Sequence, residues 1–348
     1  MLFVSVIIDN YNYGRFLREA IDSALAQTYP HREILVVDDG STDDSRDIIH
    51  SYGDKIKPIL KENGGQASAF NAGWRQATGD LILFLDADDK LVDRCLEVVV
   101  QNWDPACVKA HYRLEIRDSQ GAYRGTYPPL NRPLTHGPVL DQVWKTGSYT
   151  WPPCSGNIYS RPLLEKLLPM PEGNFRQSAD VNLNMRLAFY GPIIAIDQVL
   201  GIYRMHGTNA SFGISIADDL SKLKFRVKRY ESFRPAFIEE ALRNGRTDPL
   251  PAWGMETGDH RIKMLCRKLD PPRDPHDPDT VWRLGWQLLA FTWPKKEYAW
   301  KEKLSHLVFV LVMTLAPVWF INRLRQALPT IKRFTRKRHS LLQPRSGR

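Results

Sequence analysis

A mostly parallel α/β sheet covered by helices is the fold this sequence predicts, on three observations. Short apolar runs alternate with helical periodicity through residues 1–90. The run Leu81-Ile82-Leu83-Phe84-Leu85 breaks off abruptly into Asp86, Asp88 and Asp89. Three polar strand ends, Asp9-Asn10, Asp38-Asp39 and Asp86 to Asp88, fall at the C-terminal ends of their strands. Parallel strands place those clusters on one edge, where ligands of α/β sheets bind.

The elements follow in order. Val4 to Ile8 is an apolar strand, and Phe16 to Gln27 is a helix with Phe16, Leu17, Ala20, Ile21, Ala24 and Leu25 on one face. Glu33 to Val37 is a strand, Asp43 to Tyr52 a helix, Lys57 to Leu60 a short strand, Ala67 to Ala77 a helix and Leu81 to Leu85 a strand. This order implies right-handed crossovers with helices on both faces. From Cys107 to Tyr159 the pattern is irregular and rich in Pro, Gly, Tyr and Trp, which reads as hairpins and loops over the site. A helix is predicted over Asp180 to Phe189, strands over Ile193 to Ile196 and Leu200 to Tyr203, and helices over Asp218 to Tyr230, Pro235 to Asn244 and Thr280 to Phe291.

The chain has 348 residues, 43% hydrophobic content and a net charge of +9. Arg323 to Arg348 holds nine Lys/Arg and no acid, leaving 39 basic and 39 acidic residues before it. A neutral body with a basic tail does not indicate a nucleic-acid surface. Cys95, Cys107, Cys154 and Cys266 are too far apart for a zinc site and read as reduced, packed thiols in a cytosolic setting. The N-terminus lacks a basic region and reaches Asp9 too soon for a signal peptide, so it reads as the first strand.

In extended chain Asp86 and Asp88 share a face and repel each other unless a cation lies between them. Hard oxygen ligands suit Mg²⁺ or Mn²⁺, with positions left open for a substrate phosphate. A plain acidic turn that caps the strand is the alternative. Asp38-Asp39-Gly40-Ser41-Thr42-Asp43 is a strand-turn-helix whose carboxylates can accept hydrogen bonds from a base or ribose. The Gly64-Gly65 entry to the next helix suits a diphosphate. The absence of G-x-G-x-x-G and of G-x-x-x-x-G-K-[ST] argues against a dinucleotide dehydrogenase and a P-loop NTPase.

Taken together, Val4 to Ile8 with Tyr11-Asn12, Val36 to Asp43, Asn63-Gly64-Gly65 with Ser68, Asn71-Ala72-Gly73, Gly79-Asp80 and Phe84 to Asp89 resemble, in order and spacing, family 2 glycosyltransferases of the GT-A fold. A weaker resemblance continues through Ser155-Gly156-Asn157, Ala179-Asp180 and Tyr203-Arg204-Met205-His206, to about residue 212. The resemblance implies sugar transfer, with inversion, from a nucleoside-diphosphate-sugar, UDP foremost, to a hydroxyl acceptor in cell-envelope or polysaccharide assembly. It implies Asp180 as general base and Asp9, Tyr11, Asp38, Asp39, Asn71, Asp86 and Arg204 as donor-binding residues, with Asp38 on the base. Asp88 and His206 would hold Mg²⁺ or Mn²⁺. Departures from the pattern are Ala179 in place of an acid, Asp9 in place of Pro, and Phe70 in place of an Arg whose role would pass to Arg204, Arg186 or the metal. Two other readings are an inactive membrane-tethered nucleotide-sugar-binding module and a sugar-1-phosphate nucleotidyltransferase.

Residues 1–212 are thus the expected catalytic domain, 213–303 a helical extension, 304–322 an apolar membrane-interacting helix and 323–348 a basic tail. Leu304 to Asn322 carries no formal charge but sits at the lower limit for a span, and Ser305, His306 and Pro317 weaken it. A cytosolic donor and the positive-inside rule favour an interfacial or re-entrant helix with the tail on anionic headgroups. The expected location is the cytoplasmic face of the membrane.

Overall fold

The computed structural model describes residues 1–173, 175–206, 209, 220–247, 257–271, 280–293 and 300–324. Two compact units divide the chain: Met1–Ala210 with Glu231–Trp253, and Ser211–Tyr230 with Gly254–Arg348.

In the first unit β1 (Val4–Asn10), α1 (Gly14–Leu25), β2 (Arg32–Asp39), α2 (Ser45–His50), β3 (Lys57–Lys61), α3 (Gln66–Gln76) and β4 (Leu81–Asp86) follow the predicted alternation. Next come β5 (Lys90–Leu91), α4 (Cys95–Gln101), β6 (Lys109–Asp118), β7 (Tyr123–Tyr127), α5 (Leu140–Thr146), β8 (Asn157–Ser160), α6 (Arg161–Leu167), α7 (Ala179–Arg186) and β9 (Ile193–Met205). One sheet runs β3-β2-β1-β4-β8-β6-β9-β5, with β7 paired to β6. The first four strands are parallel, β8 is antiparallel to both neighbours, and β6 and β9 run parallel. The α/β expectation is met.

Ile7, Leu35, Val37, Ile82 and Phe84 join side chains of α3, α6 and α7 in one buried cluster. The intervening Val6, Ile8, Val36, Leu83 and Leu85 are equally buried, so both faces of these strands are covered, and their unbroken apolar runs follow from that. Gly73 permits the close seat of α3: a Cβ there would stand 2.5 Å from Ile7 Cγ2.

Several expectations need correction. In the 107–159 stretch read as hairpins and loops, β6 and β7 do form a hairpin, but the ten-residue β6 lies inside the sheet between β8 and β9. Its inward row Lys109, His111 and Arg113 is buried, and polar partners from distant segments make that tolerable. The two strands predicted over 193–203 are one, Ile193–Met205, with its register against β6 shifting near Arg113. The two helices predicted around Pro235 are one, α8 (Leu220–Arg243). Burial of Phe233, Phe237 and Ala241 outweighs the backbone hydrogen bond that Pro235 removes.

Arg186, a fallback for diphosphate contact, is instead buried against Glu240, its Nε and Nη2 at 2.6 and 2.5 Å from Oε2. Tyr190 donates to the other oxygen of Glu240. Removing one partner strands a buried charge, so Glu240→Ala should lower stability by about 3–5 kcal/mol, measured by urea unfolding.

The second unit includes α9 (Thr257–Leu269), α10 (Val281–Thr292) and α11 (Trp300–Leu315). They enclose a core that includes Ile262, Leu265, Leu284, Leu288, Val310 and Met313. Within the predicted apolar segment 304–322, α11 stops at Leu315, ahead of Pro317, and helix resumes over 318–324. Among the described residues no helix is long and apolar enough to cross a membrane. The tail beyond Leu324 and the expected boundary at residue 212 lie outside the described residues.

Candidate active site

Parallel register sets Asp9 beside Asp86 at the ends of β1 and β4, and Asn10 beside Asp38 at the end of β2. The predicted convergence of strand-end clusters on one edge is present. The local geometry differs from the extended chain expected at Asp86 and Asp88. The chain turns after Asp86, with Asp89 N donating to Asp86 O at 3.0 Å. Asp86, Asp88 and Asp89 nonetheless each present an oxygen within 4.8 Å of the others. The turn does what the extended register was expected to do, and adds a third carboxylate.

The electrostatics of the cluster reflect its crowding. Burial and the neighbouring Asp88 push Asp9 up to about 8 from its ordinary 3.8. Burial, then the charges of Asp9, Asp89, Asp88 and Asp180, drive Asp86 well above the usual carboxylate range. Asp89 is raised in the same way by burial and Asp88, against hydrogen bonds from Ser155 and Arg204. Asp9 Oδ1 is buried without a hydrogen-bond partner. A divalent cation relieves this repulsion, so the carboxylate set fits Mg²⁺ or Mn²⁺. Asp9, Asp86 and Cys154 form a second grouping, but burial and Asp86 keep the Cys154 thiol protonated, which favours the all-carboxylate trio.

These shifts fix the sign of a pH dependence. A carboxyl that titrates near 8 when folded and near 4 when unfolded binds its proton more tightly in the fold, so stability falls as pH rises through that window. Glu33, held down to about 2, acts only below its ordinary 4.5 and does not oppose the trend. The EDTA-treated chain should therefore melt about 5 °C or more lower at pH 8 than at pH 5, and Mn²⁺ should narrow the gap. Differential scanning calorimetry reads both.

His206, from just beyond β9, places Nε2 2.8 Å from Asp88 Oδ2, while Arg15 Nη2 lies 3.3 Å from its Nδ1. Arg15 can only donate, so Nδ1 accepts and Nε2 carries the hydrogen toward Asp88. The ring packs against Tyr13 and Phe16, and Asn209 Nδ2 also approaches Asp88 Oδ2, at 3.4 Å. Arg204 braces the turn: its backbone N donates to Asp89, its Nε to Asp88 O at 3.0 Å, and its Nη2 to Glu19 at 3.0 Å.

The other predicted residues are placed differently from one another. Asp38 is fully buried and accepts from Arg46, Asn10 and Ser41, so it organises the rim from within. Burial raises its pKa, but those hydrogen bonds more than offset the rise. Asp39 accepts from Lys61 and from the N–H groups of Gly64 and Gly65 at 2.9 and 2.6 Å. The glycine amides expected to cradle a diphosphate therefore hold Asp39. Gly65 has φ +87°, and a Cβ there would stand 2.6 Å from the Arg176 backbone. Asn71 is buried with its amide committed to Met170 and Glu172. Phe70 stacks on Phe84 with centroids 3.9 Å apart, as a core residue. Tyr11 is 47% exposed just past β1.

Asp180 lies in the first turn of α7, half-buried, and its charge reaches both Asp9 and Asp86. Gln66 fixes that placement: its Nε2 donates to Asp86 at 3.3 Å and its Oε1 accepts from Ala179 N at 3.0 Å. Ser178, at the N-cap position of α7, has φ 66° and makes no side-chain capping bond, and Gln66 accepts from the Ala179 N–H in its place. Sequence reasoning missed Gln66, Asp89 and Ser155 as site residues. Ser155 Oγ donates to Asp89 at 2.6 Å and accepts from Asp86 N at 3.2 Å. The signals were a third carboxylate in Asp86 to Asp89 and a Gln at the first position of a helix facing the acids.

Residues 5–167 match the model of Glycosyl transferase family 2. A Nostoc protein described as an uncharacterized glycosyltransferase is 41% identical over 217 residues, covering 59% of this chain and 66% of the relative. An uncharacterized glycosyltransferase of Rickettsia prowazekii is 54% identical over 86 residues, covering 25% of this chain and 27% of its own. The match thus spans just under two thirds of the first relative and about a quarter of the second. Among solved structures, residues 1–349 of S. aureus TarS in complex with UDP-GlcNAc share the fold, with TM-score 0.50 and 19% identity over 90% of this chain and 91% of that one. Over residues 5–167 the chain is thus similar to the family 2 glycosyltransferases, and its fold is the GT-A fold.

Proposed function

We propose that this chain is an inverting, metal-dependent glycosyltransferase. It transfers a sugar from a nucleoside-diphosphate donor, UDP foremost, to a hydroxyl of a glycan or lipid-linked acceptor in cell-envelope or polysaccharide assembly. The observation that carries the reading is the gathering of Asp9, Asp86, Asp88 and Asp89 at one sheet edge with Asp180 within electrostatic reach.

The residues divide the work by chemistry. Asp86, Asp88 and Asp89, with His206 behind Asp88, would hold Mg²⁺ or Mn²⁺. When bound, the cation supplies positive charge against the leaving diphosphate. Asp180 accepts the acceptor hydroxyl's proton while that oxygen bonds to the anomeric carbon and the bond to the diphosphate oxygen breaks. Tyr11 offers an exposed aromatic face to the base, and Asp38 steadies that rim through Asn10 and Ser41. Arg204 and Ser155 keep the acidic turn in shape.

NMR of the product anomeric proton during turnover of α-linked donors tests the stereochemistry. A β-linked product supports direct displacement with Asp180 as base, and an α-linked product contradicts it.

A further inference from the structure

The second unit presents an apolar face on the side opposite its core. On α10 the outward residues are Trp282 and Trp286, exposed by 60% and 71%, with Trp293 just past its end exposed by 45%, whereas Leu284 and Leu288 lie in the core. On α11 the outward stripe is Trp300, Leu304, Val308, Leu311 and Leu315, at helical spacing and 45% to 70% exposed, with Val310 and Met313 on the core side. The stripes meet where the Trp293 and Trp300 rings pack edge to face with centroids 6.0 Å apart. Past Pro317, Val318, Trp319 and Phe320 continue the exposure. Aromatic side chains of this size bury on the order of 150–250 Å² each, so the face exceeds the few hundred Å² of apolar patch usual on a soluble monomer.

We propose that this face docks on an anionic lipid bilayer and lies in the interface plane. Its composition fits the boundary between headgroups and acyl chains, where Trp concentrates. Its charge fits as well: Lys301 and Lys303 lie in the first turn of α11, and the chain from Arg323 to Arg348 carries nine Lys/Arg without an acid. A second copy would bring two basic segments together, whereas anionic headgroups attract them. The sixteen residues of α11 extend about 24 Å, short of the roughly 30 Å hydrocarbon core, and its other side is occupied by protein core, so the helix lies on the membrane. This inference is independent of the donor chemistry proposed above.

Flotation of the full chain with phosphatidylcholine vesicles, with and without phosphatidylglycerol, tests it. The chain should float with the anionic vesicles, and the double variant Trp286→Ser/Leu311→Ser should partition about tenfold less. Because both residues are exposed, the variant should melt like the parent. Quenching of the parent's Trp emission by bromine-labelled acyl chains gives a reading that depends on no variant, and strong quenching supports the inference. Equal flotation of parent and variant, or absence of quenching, overturns it. So does a dimer in sedimentation velocity that the double variant dissolves, because the face would then belong to a second copy. An Asp88→Asn protein should float like the parent, which separates this outcome from any failure of catalysis.

Discussion

Asp88→Asn should lower metal-dependent nucleoside-diphosphate release by about a hundred- to a thousand-fold while leaving the fold intact. Asp88 is the carboxylate on which His206 and Asn209 converge, and it forms a trio with Asp86 and Asp89. Removing its charge weakens the hold on the cation that offsets leaving-group charge, so kcat falls and the apparent metal affinity falls with it. Asparagine keeps an oxygen to accept from His206, whereas alanine would remove the acceptor shared by His206 and Asn209, which makes Asn the cleaner test. The same substitution should raise the melting temperature of the EDTA-treated protein at pH 8, because the Asp88 charge is a leading electrostatic cause of the raised pKa of Asp9 and Asp89. Opposite movement of activity and stability distinguishes a functional acid from a structural one. Steady-state kinetics with Mn²⁺ titration and calorimetry on the same preparations provide both readings.

Asp180→Asn should reduce kcat for transfer by about 10²- to 10⁴-fold with little change in donor affinity. Its position in the first turn of α7 is set by Gln66, which joins that helix to Asp86. The amide cannot take up the acceptor proton, but it preserves volume and the polar start of the helix. Transfer is therefore lost while donor binding, read by calorimetric titration of the nucleotide, persists. Gln66→Ala should show a milder form of the same pattern, because Asp180 remains while its tether to the acid cluster is removed. Equal loss of donor binding and transfer in Asp180→Asn would assign that carboxylate to the donor site.

The legible part of this molecule is the part built from local pattern. Strands β1, β2 and β4 announce themselves as unbroken apolar runs because both of their faces are covered, and each ends in carboxylates at the site edge. β6 was illegible for the opposite reason. Its alternate residues Lys109, His111 and Arg113 are charged or polar yet buried, and their partners lie far along the chain, at Asn184, Thr135 and Asp197. No local window carries that information. At the site, residue types were readable but their commitments were not. Asp39 holds the Gly64-Gly65 amides and Asn71 holds Met170, because neighbours across strands and loops claim their hydrogen bonds. The acidic string was recognised, yet the turn that recruits Asp89 depends on Ser155 and Arg204, which tertiary contacts deliver.

The most direct measurement is nucleoside-diphosphate release from a panel of UDP-, GDP- and dTDP-sugars with Mn²⁺, Mg²⁺ or EDTA, using the parent protein beside Asp88→Asn. Release from at least one donor that requires the divalent cation and is lost in Asp88→Asn is the predicted result. Failure to bind or turn over every donor, with glycan and membrane-lipid acceptors supplied, would contradict the account, as would turnover unaffected by EDTA and by Asp88→Asn.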